Sequence, residues 1–178
     1  GRRKAETIMQ RRLLTLDLDY VTVSDSPWET VELILGCAAV LYSTHSSTPR
    51  APRLRLVIPL ARPVTPDEYT AIARRVAGDI GIDLFDDTTY EPHRLMYWPS
   101  ASRDAEYRYF VSDGPWLDPD EQLMRYNDWR DPSEWPVSSR KQDIMQRLAK
   151  KQGDPTEKKN VVGAFCRVYS IEDAIETF

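Results

Sequence analysis

Four short stretches of this chain announce helix starts in nearly the same way, and they constrain where every other element can lie. Ser26-Pro27-Trp28-Glu29 sets a capping serine, a proline at the first helical position and a glutamate three residues after the cap. Thr65-Pro66-Asp67-Glu68 and Asp118-Pro119-Asp120-Glu121 repeat the arrangement, and Ser170-Ile171-Glu172-Asp173 is a weaker version. In each, a side-chain oxygen can take up an N–H left orphaned by the first helical turn, and an acid meets the positive helix end. The first two predict helices from Pro27 to about Leu35, stopped by Gly36, and from Pro66 to about Asp79, with Gly78 and Gly81 near the end.

The segments between these helices alternate as strands do. From Leu13 to Val21, Leu14, Leu16 and Leu18 share one face while Thr15, Asp17 and Asp19 share the other. Ala38 to His45 is a second apolar run that turns polar. Arg53 to Leu60 is a third, with Leu54, Leu56 and Ile58 opposite Arg53, Arg55 and Val57. Ser46 to Arg50 reads as the turn between them, and Arg94 to Trp98 as a short fourth strand stopped by Pro99. The order is β-α-β-β-α-β, an α+β core of the ferredoxin-like or RRM-like kind. Both crossovers contain helices, so both helices should cover one sheet face and leave the other free for chemistry. In that topology the first and third strands are the central pair, and Asp17 and Asp19 lie beside Arg53 and Arg55.

After Pro99 the pattern loosens. A hairpin is expected around Ser112-Asp113-Gly114-Pro115, a short helix from Pro119 to about Tyr126, and an aromatic-pinned loop over 127–136. Helical character returns from Ser138 and is broken at Gly153-Asp154-Pro155. The expected division is a catalytic domain over 1–136 and a helical extension over 137–178, whose late final helix reads as the lead-in to a further domain.

Composition removes several classes of function. The two cysteines, at 37 and 166, exclude a disulfide scaffold and a cysteine zinc site, and the two histidines, at 45 and 93, exclude a histidine-rich metal cluster. No stretch approaches 18 apolar residues, and the basic N-terminus has no apolar core behind it, so neither a membrane span nor a signal peptide is expected and a cytoplasmic place is. The net charge is −4, but residues 61–135 hold 16 Asp+Glu against eight Lys+Arg, leaving both ends mildly basic. Arg2, Arg3, Lys4, Arg11, Arg12 and the pairs Lys150-Lys151 and Lys158-Lys159 are candidate nucleic-acid contacts or ordinary helix-surface charge.

Four groups carry possible chemistry. Asp17-Leu18-Asp19 points two carboxylates the same way, about 7 Å apart along a strand. Such a pair repels and loses solvation unless cations neutralise it, as divalent metal ions with bound phosphate do; two surface acids are the plain alternative. Ser43-Thr44-His45 offers a hydroxyl and an imidazole at a strand end, both directed to the mouth of the sheet. Arg53 and Arg55 make either a salt-bridge lattice with the acids or a phosphate clamp. Asp83-Leu84-Phe85-Asp86-Asp87 can bring a third carboxylate to the same place, or is an acidic loop. No Gly-x-x-x-x-Gly-Lys-Ser/Thr is present, which excludes a P-loop ATPase, and the third strand lacks the aromatic motif of an RNA-recognition module.

Taken in order, Asp17-Leu18-Asp19, Ser43-Thr44-His45 and Phe85-Asp86 resemble the acid-x-acid, Ser-x-His and hydrophobic-Asp motifs of the archaeo-eukaryotic primase superfamily. The run from Tyr42 to Leu60 and Arg94-Leu-Met-Tyr-Trp-Pro99 are similar to its phage and plasmid primase-polymerases, and Val162 to Ser170 is similar to the small helical region after their catalytic domain. The resemblance implies that Asp17, Asp19 and Asp86 (Asp87 or Asp83 as alternates) bind two Mg²⁺ or Mn²⁺ ions. It implies that His45, Ser43, Arg53, Arg55 and Arg94 meet the phosphates of a nucleoside triphosphate. It further implies a single-stranded DNA template and primer, a bacterial host cytoplasm, and a helicase domain downstream. The two other readings are a different two-metal palm-type enzyme, such as a nucleotidyl cyclase, and a non-catalytic replication-initiator module that binds DNA.

Overall fold

The computed structural model describes residues 5–103, 105–151, 156 and 159–177. The chain divides into two compact units, 1–138 and 139–178. In the first, the elements are β1 (Arg11–Leu18), α1 (Pro27–Leu35), β2 (Ala39–Ser43), β3 (Leu54–Val64), α2 (Pro66–Ile80), β4 (Tyr109–Ser112) and α3 (Pro119–Leu123). The class is α+β, and the β-α-β-β-α-β order holds.

The helix starts behave as their chemistry dictates. At α2, Thr65 accepts from the Glu68 backbone N–H while the Glu68 carboxylate accepts from the Thr65 N–H, a reciprocal capping box. Asp118 caps α3 by accepting from Asp120 N–H at 2.8 Å. At α1 the proline is at its expected place, but Ser26 makes no side-chain cap bond. Gly36 ends α1 with φ +56°, a left-handed conformation that favours glycine.

Glu68 also receives Arg62, 2.8 Å away. Burial pushes the Glu68 carboxyl up, but Arg62 and the Thr65 N–H outweigh it and hold the group below its ordinary 4.5. A carboxyl lowered on folding stabilises the fold above its unfolded value and loses that contribution as pH falls through the folded value. Glu68→Gln is therefore expected to cost about 1 kcal/mol at neutral pH, with the gap to wild type in chemical denaturation closing as pH drops below 4.5.

The four strands form one antiparallel sheet in the order β1-β3-β2-β4. Leu14, Leu16 and Leu18 on β1, Leu54, Leu56, Ile58 and Leu60 on β3, and Ala39 and Leu41 on β2 point into one core. Val31 of α1 and Tyr69, Ile72, Val76 and Ile80 of α2 close it from the helical side. Tyr69 is fully buried, and its hydroxyl donates to the Thr15 carbonyl at 3.1 Å.

Two expectations about the sheet are corrected. The central pair is β3 and β2, with β1 at an edge. The stretch Arg94 to Trp98 is not a strand. The position beside β1 is taken by residues 86–89, where Asp86 N–H donates to the Asp17 carbonyl at 2.9 Å and Asp17 N–H donates to Thr89 Oγ1 at 2.8 Å. A side-chain acceptor in place of a carbonyl cannot propagate a ladder. The fourth strand is instead Tyr109–Ser112, paired to the outer edge of β2, where a hairpin was expected. The loop over 127–136 is pinned by its tryptophans: Trp135 Nε1 donates to the Trp129 carbonyl at 2.8 Å.

The second unit contains α4 (Ser139–Lys151), α5 (Val161–Val168) and α6 (Ile171–Thr177). Asn160 caps α5 by accepting from Gly163 N–H at 3.1 Å, and the Phe165 and Tyr169 rings meet with centroids 5.0 Å apart. Among the described residues no helix is long and apolar enough to cross a membrane.

Candidate active site

The sheet face turned away from the core carries a row of polar side chains. Register sets Asp17 opposite Arg55, and Arg55 opposite Tyr42. Arg55 Nε donates to Asp17 Oδ1 at 2.6 Å, and the two side chains are only 10% and 11% exposed. The second guanidinium arm, Nη1, donates to the Tyr97 carbonyl at 2.8 Å. Burial pulls Arg55 toward losing its proton, but the bond to Asp17 outweighs this and holds it charged.

One residue past the end of β1, Asp19 lies 3.2 Å from Arg53, in a more open setting of 30% and 45% exposure. Burial raises the Asp19 carboxyl above its ordinary range, Arg53 lowers it, and the neighbouring charges of Asp17 and Asp86 raise it again. Arg94 lowers it slightly, yet the net effect is upward, so this half-buried carboxylate near two others has room for more positive charge than Arg53 and Arg94 supply.

The β2–β3 connection holds the opposite rim. Thr44 N–H donates to the Arg53 carbonyl at 2.8 Å, Ser47 N–H to the Thr44 carbonyl at 3.0 Å, and Arg53 N–H to the buried Ser47 Oγ at 3.1 Å. This places His45 at the rim, with Nδ1 3.4 Å from Ser100 Oγ. Asp17, Asp19, His45, Arg53 and Arg55 thus line one cleft of about 210 Å³, together with Tyr42, Thr44, Ser46 and residues 97–100. Tyr42, Thr44 and Tyr97 were not singled out from the sequence; Tyr42 was legible in principle, because it is one residue out of phase with the core residue Leu41.

Other expected members lie elsewhere. Ser43 is not in the cleft: on β2 it shares the core face with Ala39 and Leu41, is 2% exposed, and its Oγ accepts from Arg108 N–H at 3.1 Å. It borders a separate cavity of about 270 Å³ among Trp28, Leu41, Leu54 and Phe110. That larger cavity is bordered by Asp25, Glu29 and Glu106 but by neither Asp17 nor Asp19, and the smaller one, which joins those two acids to His45, Arg53 and Arg55, is the better candidate for chemistry. Asp86 flanks β1, accepts from Thr88 and pairs with Arg94 at 3.3 Å; neither Asp86 nor Arg94 lines the cleft. Asp87 is turned to Ser138, whose Oγ donates to it at 2.7 Å, and Asp83 is exposed on the turn Ile82–Leu84, whose two apolar residues pack against the core. Of the basic residues, Arg11 is absorbed into the fold, stacked on Tyr69 and bonded to Thr15 and the Pro92 carbonyl. Arg12 and Lys159 are exposed, and Arg2, Arg3, Lys4, Lys158 and the side chains of Lys150 and Lys151 lie outside the described residues.

Among the described residues no group of three or more His, Cys, Asp or Glu is gathered to hold a metal ion by itself. Asp17 and Asp19 supply hard oxygen donors, and Mg²⁺ is commonly held by one or two carboxylates with substrate phosphates completing its shell. The donor set therefore fits a divalent ion that arrives with a triphosphate, and not a bare ion in a closed protein cage.

Comparison with known proteins agrees with the fold. The family model described as the VapE N-terminal domain matches residues 1–138. Among solved structures, the AEP domain of the cyanophage S-2L primase-polymerase (PrimPol) superposes with a TM-score of 0.50 at 19% identity, over 70% of this chain and 64% of that one. The chain thus spans less than two thirds of that relative, and the likeness is one of fold. No curated protein matches the sequence.

Proposed function

The chain belongs to the VapE N-terminal domain family, and on that footing we propose that it is a template-dependent nucleotidyltransferase. It synthesises or extends primers on single-stranded DNA in the replication of a phage, plasmid or other mobile element, ahead of a helicase domain in the full-length chain. The relative with this fold is named a primase-polymerase. The observation that carries the reading is the single cleft lined by Asp17, Asp19, His45, Arg53 and Arg55.

Each residue then has a task. Asp17 and Asp19 would hold Mg²⁺ or Mn²⁺, with Asp86 as the flanking third acid. Bound there, such ions would supply Lewis acidity for a primer hydroxyl and for the pyrophosphate leaving group. Arg53, in the more exposed pair, exchanges its carboxylate for a phosphate, and His45 offers a further donor from the rim. Arg55 orients Asp17 through its 2.6 Å bond, and through the Tyr97 carbonyl it fixes the loop that forms the wall. Arg94 orients Asp86.

A second reading has one observation in its favour. Asp17, Asp19 and Asp86 each pair with an arginine, as in a structural lattice on a DNA-binding module without catalysis. Calorimetry with a non-hydrolysable deoxynucleoside triphosphate separates the two. The catalytic reading expects binding that requires Mg²⁺ or Mn²⁺ and weakens at least about tenfold in Arg53→Ala, the loss of one charge-assisted contact. No nucleotide binding under any metal condition, with DNA still bound, would favour the module.

A further inference from the structure

The face that carries Asp17 and Arg55 does not end at Tyr42. Tyr42 stands opposite Tyr109 on β4, so one row runs Asp17, Arg55, Tyr42, Tyr109 across all four strands. Three strand spacings of about 4.8 Å put Tyr109 about 14 Å from Asp17. Tyr107 meets Tyr109 with ring centroids 6.3 Å apart and planes tilted by 30°. Both rings are open to solvent, Tyr109 at 66% and Tyr107 at 42%. At the cleft itself Trp98 is 91% exposed.

Resting on the reading of the cleft given above, we propose that Tyr107 and Tyr109 form a stacking platform for the bases of a single-stranded nucleic acid leading into that cleft. Exposed ring faces on a sheet suit bases, since every base has a π-face whatever its sequence. The strand must be single, because in a duplex those faces are already covered by neighbouring bases. Continuity selects nucleic acid over a protein as the occupant, because the row of side chains that ends at Tyr109 begins at the acids of the cleft. A protein adding a strand along the outer edge of β4 would instead use its backbone groups and be indifferent to the tyrosine rings. Stacking releases few counterions, so this part of the affinity persists as salt is raised.

The test is fluorescence anisotropy of a labelled oligothymidylate with the full chain and its variants. Tyr107→Ala/Tyr109→Ala is expected to weaken binding at least about tenfold, at low and at high salt alike, for two lost stacking contacts. Tyr107→Phe/Tyr109→Phe, which keeps both rings, is expected to bind within about threefold of wild type. Circular dichroism melting should be the same for all three, since both side chains are exposed. Unchanged oligothymidylate binding by the alanine pair, or no binding by wild type, overturns the platform. Metal-dependent nucleotide binding reports separately on the cleft: if it persists while the tyrosines prove irrelevant, only the platform fails, and if it is absent the reading of the cleft fails with it.

Discussion

Asp19→Asn is expected to reduce primer synthesis at least about 100-fold without lowering the melting temperature. Substitution of groups one step removed from a metal already costs about 10–100-fold, and Asp19 is proposed as a direct ligand. The stability side follows from the environment of Asp19. Burial, with Asp17 and Asp86 nearby, raises its carboxyl above the ordinary 3.8 despite Arg53. An acid raised on folding favours the folded state while protonated, and that advantage is lost as pH rises from below 3.8 through the folded value. At neutral pH the ionised Asp19 is therefore a burden on the fold, which asparagine removes. Loss of synthesis with an unchanged or slightly higher melting temperature is the signature of a functional acid. Full synthesis by Asp19→Asn would sink its assignment as a metal ligand.

Arg55→Ala should have the opposite balance and the largest effect on stability. Asp17 and Arg55 are each about nine-tenths buried and joined at 2.6 Å. Removing the guanidinium leaves a carboxylate in a low-dielectric site with no counter-charge, which costs about 3–5 kcal/mol. For a chain of this size that corresponds to a fall of about 10 °C in melting temperature. The Tyr97 carbonyl loses its donor as well, so the wall of the cleft loosens. Arg53→Ala makes the contrast, because its pair with Asp19 is 45% and 30% exposed and should contribute under about 1 kcal/mol to folding. Adding Asp17→Asn to Arg55→Ala should recover part of the loss, because the unpaired charge then disappears. Equal melting temperatures for Arg55→Ala and Arg53→Ala would show that the Asp17–Arg55 pair is not buried as described.

The pairing of acids with arginines was legible in the sequence because it depends on local chemistry and parity. The caps at Pro27 and Pro66 fix the two crossovers, and the alternation of Leu14, Leu16 and Leu18 with Leu54, Leu56 and Ile58 decides which way Asp17 and Arg55 point. Parity puts Ser43 on the core face with Ala39 and Leu41, and does not extend from Ser43 to His45. It holds only while the strand lasts, and β2 ends at Ser43. His45 is then oriented by the turn at Thr44–Ser47, not by the pleat. Asp87 looked equivalent to Asp86 in sequence but is bonded to Ser138, 51 positions away, a partner that no local pattern announces.

The fourth strand was misplaced for a related reason. Arg94-Leu-Met-Tyr-Trp98 has strand-like composition, but strand formation needs a free edge, and residues 86–89 already occupy the edge of β1. Tyr109–Ser112 has only four residues, three of them exposed, and becomes a strand because the outer edge of β2 is open to it. Competition between segments for an edge is a tertiary property, invisible to periodicity. The aromatic face of β4 went unread for the same reason, since Tyr107 and Tyr109 acquire meaning only once β4 lies beside Tyr42.

The most direct test of the proposed activity is to size the products made by the wild-type chain from a single-stranded DNA template and labelled nucleotides, with Mg²⁺ or Mn²⁺, with and without a primer. The proposal predicts strands longer than any input, formed only with template and metal and missing with Asp19→Asn. A cyclised mononucleotide, or no product under any of these conditions, would contradict it.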